Sequence, residues 1–260
     1  MPPRLLLLAA LFATVAFPIA AQTQEGLYFS VNPGVLFAQP QTISASSTSA
    51  PVSFGTSPEL FPQLPPPPPQ PITRQAQTRV NFNTGFALNA SLGYAFNFGL
   101  RLEGLFFHST ADISSFQSLD AADIVGPDRG TLSNLAGLLN FVYDIPTGSG
   151  FTPYINAGLG ASSVRASNVP VVTTTPGIGV LGSSSNVLGT SLTTVNGSTL
   201  AFAYQLGAGL RYAVLPQLAV NIGYRFTGTS GFTLPDSLGT DSTFTSQNLH
   251  MVEAGVRWSF

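Results

Sequence analysis

From Gly85 the chain alternates strictly. Phe86, Leu88, Ala90, Leu92, Tyr94 and Phe96 fall on one side, and Gly85, Ala87, Asn89, Ser91, Gly93 and Ala95 on the other. A period of two belongs to a β-strand with one apolar face and one small or polar face. The last segment repeats it, with His250, Val252, Ala254, Val256, Trp258 and Phe260 opposite Met251, Glu253, Gly255, Arg257 and Ser259. Comparable runs at residues 27–37, 100–108, 135–145, 155–163, 202–212 and 218–226 bring the expectation to eight strands.

Charges inside these strands keep to one parity. Arg101, Glu103, Asp144, Arg211, Arg225, Glu253 and Arg257 all fall opposite the apolar row. Turning the rows over would place four arginines in lipid at about 2 to 4 kcal/mol each near the midplane. A soluble sandwich or lipocalin-like barrel would reverse the rows, so charge parity alone does not separate the two. The connections do. Short links at 97–99, 146–150 and 214–217 alternate with long ones at about 38–79, 112–131, 166–198 and 228–246. That asymmetry belongs to an outer-membrane barrel with long extracellular loops and short periplasmic turns. The pattern predicts an all-β, up-and-down antiparallel barrel of eight strands. Residues 169–174 and 191–195 could pair as a further hairpin and raise the count to ten; the preferred reading is that they prolong the barrel beyond the membrane.

Composition agrees with a chain not covered by water alone: 44% of residues are hydrophobic and 8% charged, with no cysteine. Lysine is absent, so no basic stripe exists for nucleic-acid phosphates. Arg4, an apolar run over residues 5–17 and Ile19-Ala20-Ala21 read as a signal peptide, 1–21, cleaved before Gln22. The run is shorter than a spanning helix needs and is broken by Pro18. The barrel domain then occupies 22–260. Pro65 to Pro69, inside the first long connection, reads as extended polyproline that projects a loop.

Three stretches, FTPYINAGLG over 151–160, QLGAGLRY over 205–212 and GVRWSF over 255–260, resemble the bacterial outer-membrane β-barrel family related to opacity proteins and the OmpA-type transmembrane domain. The resemblance spans essentially the whole mature chain. It implies an outer-membrane location in contact with lipid. It also implies that the aromatic end formed by Phe260, Trp258 and Val256 is the signal read by the barrel-assembly machinery. The long loops would then meet host or extracellular ligands.

Candidate chemistry is sparse. His108 and His250 both lie on the apolar row. His108-Ser109-Thr110 resembles the His-x-Ser of an outer-membrane lipid A deacylase, but Thr110 stands where the nucleophilic serine should be and no orienting glutamate follows on the next strand. Asp120, Asp123 and Asp128 have no metal-ligand spacing and read as solvated loop residues. The glycines at 158, 160, 207 and 209 complete no nucleotide fingerprint and read as room for inward side chains. No catalytic, cofactor or metal residue is assigned. The informative group is the inward set Arg101, Glu103, Arg211, Arg225, Glu253 and Arg257, which must pair or be hydrated. Arg101, Arg211 and Arg257 would gather in the lower barrel near Glu103, with Glu253 and Arg225 higher, and Arg257 with Glu253 is the pair chosen to test coupling. Three functions follow: an anchor whose lumen is filled by salt bridges and whose loops interact with the exterior, a narrow channel gated by those charges, or, remotely, an outer-membrane lipid-modifying acyl hydrolase. An eight-stranded interior is just wide enough to be filled by side chains, which favours the anchor.

Overall fold

The computed structural model describes residues 25–48, 73–120, 125–126, 130–175 and 189–260. The expected signal peptide, Pro65 to Pro69, Asp123 and Asp128 lie outside the described residues. The elements are β1 (Gly26–Ala38), β2 (Gln41–Thr48), β3 (Thr73–Phe82), β4 (Gly85–Ala95), β5 (Leu100–Ser118), β6 (Val125–Gly126) and β7 (Thr131–Asp144). They continue with β8 (Phe151–Thr175), β9 (Gly189–Ala213), β10 (Leu218–Thr229), β11 (Phe232–Pro235), β12 (Asp241–Phe244) and β13 (Gln247–Ser259).

Eight of them form a closed antiparallel ring in the order β1, β4, β5, β7, β8, β9, β10, β13 and back to β1. Closure leaves no strand edge, which is how backbone N–H and C=O groups find partners where lipid offers none. The closing seam has one irregularity. Its ladder passes from Val31↔Val256 to Gly34↔Glu253 without a pairing at Pro33, which has no N–H to donate. One end is turned tightly, as in Phe96 N–H to Leu100 C=O at 2.8 Å and Val214 N–H to Leu218 C=O at 2.9 Å.

Alternation becomes a difference in exposure. Leu92 is 59% exposed and Leu206 56%, whereas the neighbouring-parity residues Asn89 and Gln205 are 0% and 1% exposed. The apolar row therefore faces outward, and all the strand charges named from the sequence face the lumen. Aromatic side chains gather at both rims of the apolar band. Tyr94, Phe98, Tyr143, Phe151, Trp258 and Phe260 are exposed near the tight turns, and Phe37, Phe86, Phe202 and Tyr224 near the other end. Such girdles mark the two membrane–water interfaces.

The connections expected as loops over 38–79, 112–131, 166–198 and 228–246 are largely strand where described. β2 and β3 form a hairpin, β11 and β12 another, and β5, β8 and β9 run on past the ring. β12 pairs β2, β2 pairs β3, and β3 pairs the upper part of β5. On the other side Asp236, beyond β11, bridges to Val195 of β9. Residues 169–174 do pair with 190–195, as in Val169↔Val195 and Val172↔Leu192, but as prolongations of β8 and β9, so the ring stays at eight.

This upper structure has its own apolar core, including Ile43, Val80, Phe116, Val171, Val195 and Phe244. Two bulges create it. In β5 the pairing slips between Asn81 and Phe82 of the partner, and the buried parity changes from Ala111 and Ile113 to Phe116 and Ser118. In β8 the slip lies between Ala166 and Val169, where Asn168 has φ +53° and accepts strain that asparagine tolerates better than most residues. Burial there passes from Val164 and Ala166 to Val169 and Val171. A single inserted residue reverses which face looks inward.

Placing a charge on the outer band tests the register. Leu92→Arg should lower the unfolding free energy of the refolded barrel by about 2 to 4 kcal/mol, measured by denaturant titration in lipid vesicles.

Candidate functional site

The lumen is divided by height. Near the tight turns it is polar, and every ring strand contributes: Tyr28 (β1), Asn89 (β4), Arg101 and Glu103 (β5), Asn140 and Asp144 (β7), Asn156 and Tyr154 (β8), Gln205 and Arg211 (β9), Arg225 (β10), Glu253 and Arg257 (β13). These side chains meet because each occupies the inward parity of its strand at similar depth, set by register pairs such as Tyr28↔Gly93, Gly93↔Glu103 and Glu103↔Asn140. Gly93 is required beside Tyr28, since a β-carbon there would sit 2.7 Å from the phenol ring.

Two ion-pair groups result. In the first, Arg101 Nη1 lies 3.1 Å from Glu103 Oε1 and its Nη2 lies 3.0 Å from Asp144 Oδ1, while Arg211 Nη1 approaches Asp144 Oδ2 at 2.9 Å. Tyr28 Oη donates to Glu103 Oε1 at 2.5 Å, and Asn140 Nδ2 donates to Glu103 Oε2 at 2.8 Å. Gln205 Nε2 in turn donates to Asn140 Oδ1 at 2.8 Å. In the second, Arg225 grips Glu253 with two bonds, Nη2 to Oε1 at 2.9 Å and Nε to Oε2 at 3.2 Å, and Asn89 Nδ2 donates to Oε2 at 2.5 Å. Two-point guanidinium–carboxylate contacts are the strong form of the interaction.

The structure pairs five of the six inward residues, with Glu103 on Arg101 in the lower group and Glu253 on Arg225 above, at the relative heights expected. Glu253 belongs to Arg225, not to Arg257. Asp144, which had the inward parity but was left out of the set, is the bridge between Arg101 and Arg211. The neutral hydrogen-bonding shell of Tyr28, Asn89, Asn140 and Gln205 was missed as well. Its signal was present as polar residues on the inward row. Arg257 stands apart: its guanidinium carbon lies 3.8 Å from the centroid of the Tyr28 ring, a cation–π contact, and no carboxylate pairs with it among the described residues.

Above this layer apolar side chains dominate the lumen, with Ser109, Asn134, Ser162 and Thr227 buried on the inward rows at the same height. Leu36, Leu105, Phe107, Leu138, Leu249 and Met251 are buried together, directly beneath the apolar core of the upper sheet. The inward row, small or polar over residues 85–95, carries large apolar residues higher up in the neighbouring strands. The cavity among the charged side chains is only about 30 Å³, and its lining includes Ser30, Asn32, Tyr154 and the charged residues other than Asp144.

The histidines have ordinary structural partners. His250 sits between Tyr224 Oη at 2.5 Å and Gln39 Nε2 at 2.8 Å. His108 Nδ1 donates to the Asn134 carbonyl at 3.1 Å, and the Thr110 hydroxyl lies 3.5 Å from its other ring nitrogen. A backbone carbonyl thus holds the place where an acyl hydrolase would need a carboxylate. Asp120 accepts from the Gln77 N–H at 2.6 Å, and no metal-binding cluster occurs among the described residues.

A closed ring of eight strands with an apolar outer band, two aromatic girdles and an ion-paired lumen defines an integral outer-membrane β-barrel. The chain belongs to the outer membrane protein beta-barrel domain family, which it matches over residues 5–260. That membership places it in the bacterial outer membrane. It is similar to the outer membrane protein PagN of Salmonella typhimurium, with 24% identity over 82% of this chain and 78% of that protein. Among solved structures it resembles Neisserial surface protein A, with 17% identity, 90% of this chain and 97% of the other covered, and a TM-score of 0.44. It also resembles the outer membrane protein OprG of Pseudomonas aeruginosa, with 13% identity, 92% and 99% covered, and a TM-score of 0.43.

The bonded pair Arg225–Glu253 and the unbonded pair Arg257–Glu253 make opposite forecasts in double-mutant cycles. Arg225→Ala and Glu253→Ala should each cost about 3 to 5 kcal/mol, and the double variant clearly less than their sum. Arg257→Ala with Glu253→Ala should come much closer to additive. Unfolding followed through the fluorescence of the single tryptophan, Trp258, would show both.

Proposed function

We propose that this protein is a non-catalytic surface-interaction barrel: a rigid membrane anchor that holds an ordered β-structure outside the cell. The observation that carries this reading is the apolar layer of Leu36, Phe107, Leu138, Leu249 and Met251, stacked between the ion pairs and the upper core. A permeating ion would have to shed its water among these side chains, which is costly in a low-dielectric interior. This disfavours the channel alternative.

What the upper sheet offers outward is a flat, hydroxyl- and amide-rich face. Register places Thr233, Thr243, Ser44 and Gln77 side by side across β11, β12, β2 and β3, with Arg79 beside Thr42 one pair of residues further along. Arg79 and Asp241 are exposed charges of opposite sign on this face, so it suits an uncharged hydrogen-bonding partner, such as a host or extracellular saccharide or protein surface. The membrane part contacts outer-membrane lipid through its apolar band. In this reading residues 1–21 are removed as a signal peptide, and the barrel-assembly machinery recognises Phe260, Trp258 and Val256. The backbone N–H of Phe260 donates to the Leu27 carbonyl at 3.0 Å and so completes the first-to-last strand seam.

The refolded, heat-modifiable barrel should be electrically silent in a planar bilayer at neutral pH and moderate salt. Reproducible discrete openings would replace the anchor by a channel. On cells, a Ser44→Lys/Thr243→Lys variant with unchanged heat-modifiability should lose adherence, and undiminished adherence would remove the upper face from the interaction.

A further inference from the structure

We propose that the periplasmic mouth of the barrel is a binding site for a small oxyanion of the phosphate class, held between Arg257 and Arg211. The buried charge inside the ring is unbalanced. Four arginines, Arg101, Arg211, Arg225 and Arg257, face three carboxylates, Glu103, Asp144 and Glu253. All three carboxylates are taken by the other arginines. Arg257 is 5% exposed, and its Nε has no hydrogen-bond partner. Its ring contact with Tyr28 occupies one face of the guanidinium and leaves the in-plane Nε–H without an acceptor among the described residues. A buried, always-charged donor fork without an anion is an incomplete pair.

The space to complete it exists. At the tight-turn end a cavity of about 40 Å³ is lined by Arg257, Arg211, Thr152, Gln217 and Ser259 together with apolar turn residues, and its lining contains no carboxylate. Two guanidinium groups, two hydroxyls and an amide all supply donors, which is the chemistry of an oxyanion site rather than a cation site. Since about 10 to 15 Å³ of such space holds one water, the cavity accepts a small ion or a terminal phosphate group and excludes a sugar ring. Arg257 and Arg211 also line the charged cavity above, so an anion here would meet the lower face of the ion-pair layer. Outer-membrane barrels of this kind turn tightly on the periplasmic side, which makes the periplasm the source of the ligand.

The test uses the mature full-length protein refolded in a maltoside detergent, which contributes no phosphate of its own. Inorganic phosphate is titrated against chloride at constant ionic strength, following the heat-modifiable gel shift and the ³¹P linewidth. The expected result is a saturable rise in unfolding temperature and a broadened phosphate resonance. Both should be lost in Arg257→Gln and retained in Arg165→Gln, whose residue lies exposed on the outer surface at the other end. Should Arg257→Gln not refold, Arg257→Lys keeps the charge but loses the fork and should weaken the apparent affinity at least tenfold. Glucose 1-phosphate competing as well as inorganic phosphate would assign the site to phosphate groups carried on larger molecules; failure to compete would assign it to the free ion. A phosphate effect no greater than that of chloride, or one undiminished in both Arg257 variants, would overturn the proposal.

Discussion

Hydrocarbon offers no hydrogen-bond partner, and the rest of the structure follows from that. A strand in lipid must give every backbone group to a neighbour, so the sheet must close. Closure at eight strands leaves an interior only wide enough for side chains. Those side chains lie on the row opposite the lipid, where water is scarce, and so must satisfy one another. The linked chain of Gln205, Asn140, Glu103, Tyr28 and Arg101 is what that requirement looks like when it is met. Pro33, without an N–H, marks where the requirement is relaxed at the closing seam.

The barrel was legible because lipid imposes parity. Residues such as Leu92 and Glu253 announce their faces without any neighbour being known, and each short turn lies between two such runs. Pairing within the lumen was not legible, because it depends on depth as well as parity. Asp144, isolated at the end of its strand, acquires meaning only when Arg101 from β5 and Arg211 from β9 converge on it. The same blindness to depth hid Leu105 and Phe107, which share a row with Arg101 and Glu103 but stand higher.

The upper sheet was hidden for a different reason. Alternation is the signal of a strand, and the bulges in β5 and at Asn168 in β8 interrupt it, so the pattern fades where the strand continues. β2, with the sequence QTISASST, has the serine and threonine content of a loop. Its Ile43 and Ala45 are buried by apolar residues contributed from distant segments, Val80, Phe116 and Phe244 among them. No local reading supplies those partners.

β8 and β9 are each 25 residues long, about 80 Å of extended chain at the usual rise per residue. With a tilt of about 40° this corresponds to roughly 60 Å of height, of which the apolar band of such a barrel takes about 25 Å. Some 35 Å therefore remains beyond the apolar band, carried by strands that are continuous with the anchor. Such a mast lifts its tip clear of the headgroups and into the zone occupied by neighbouring surface polymers. A partner too bulky to penetrate that layer could still be met at the tip, while the barrel wall below would be reached by lipid alone.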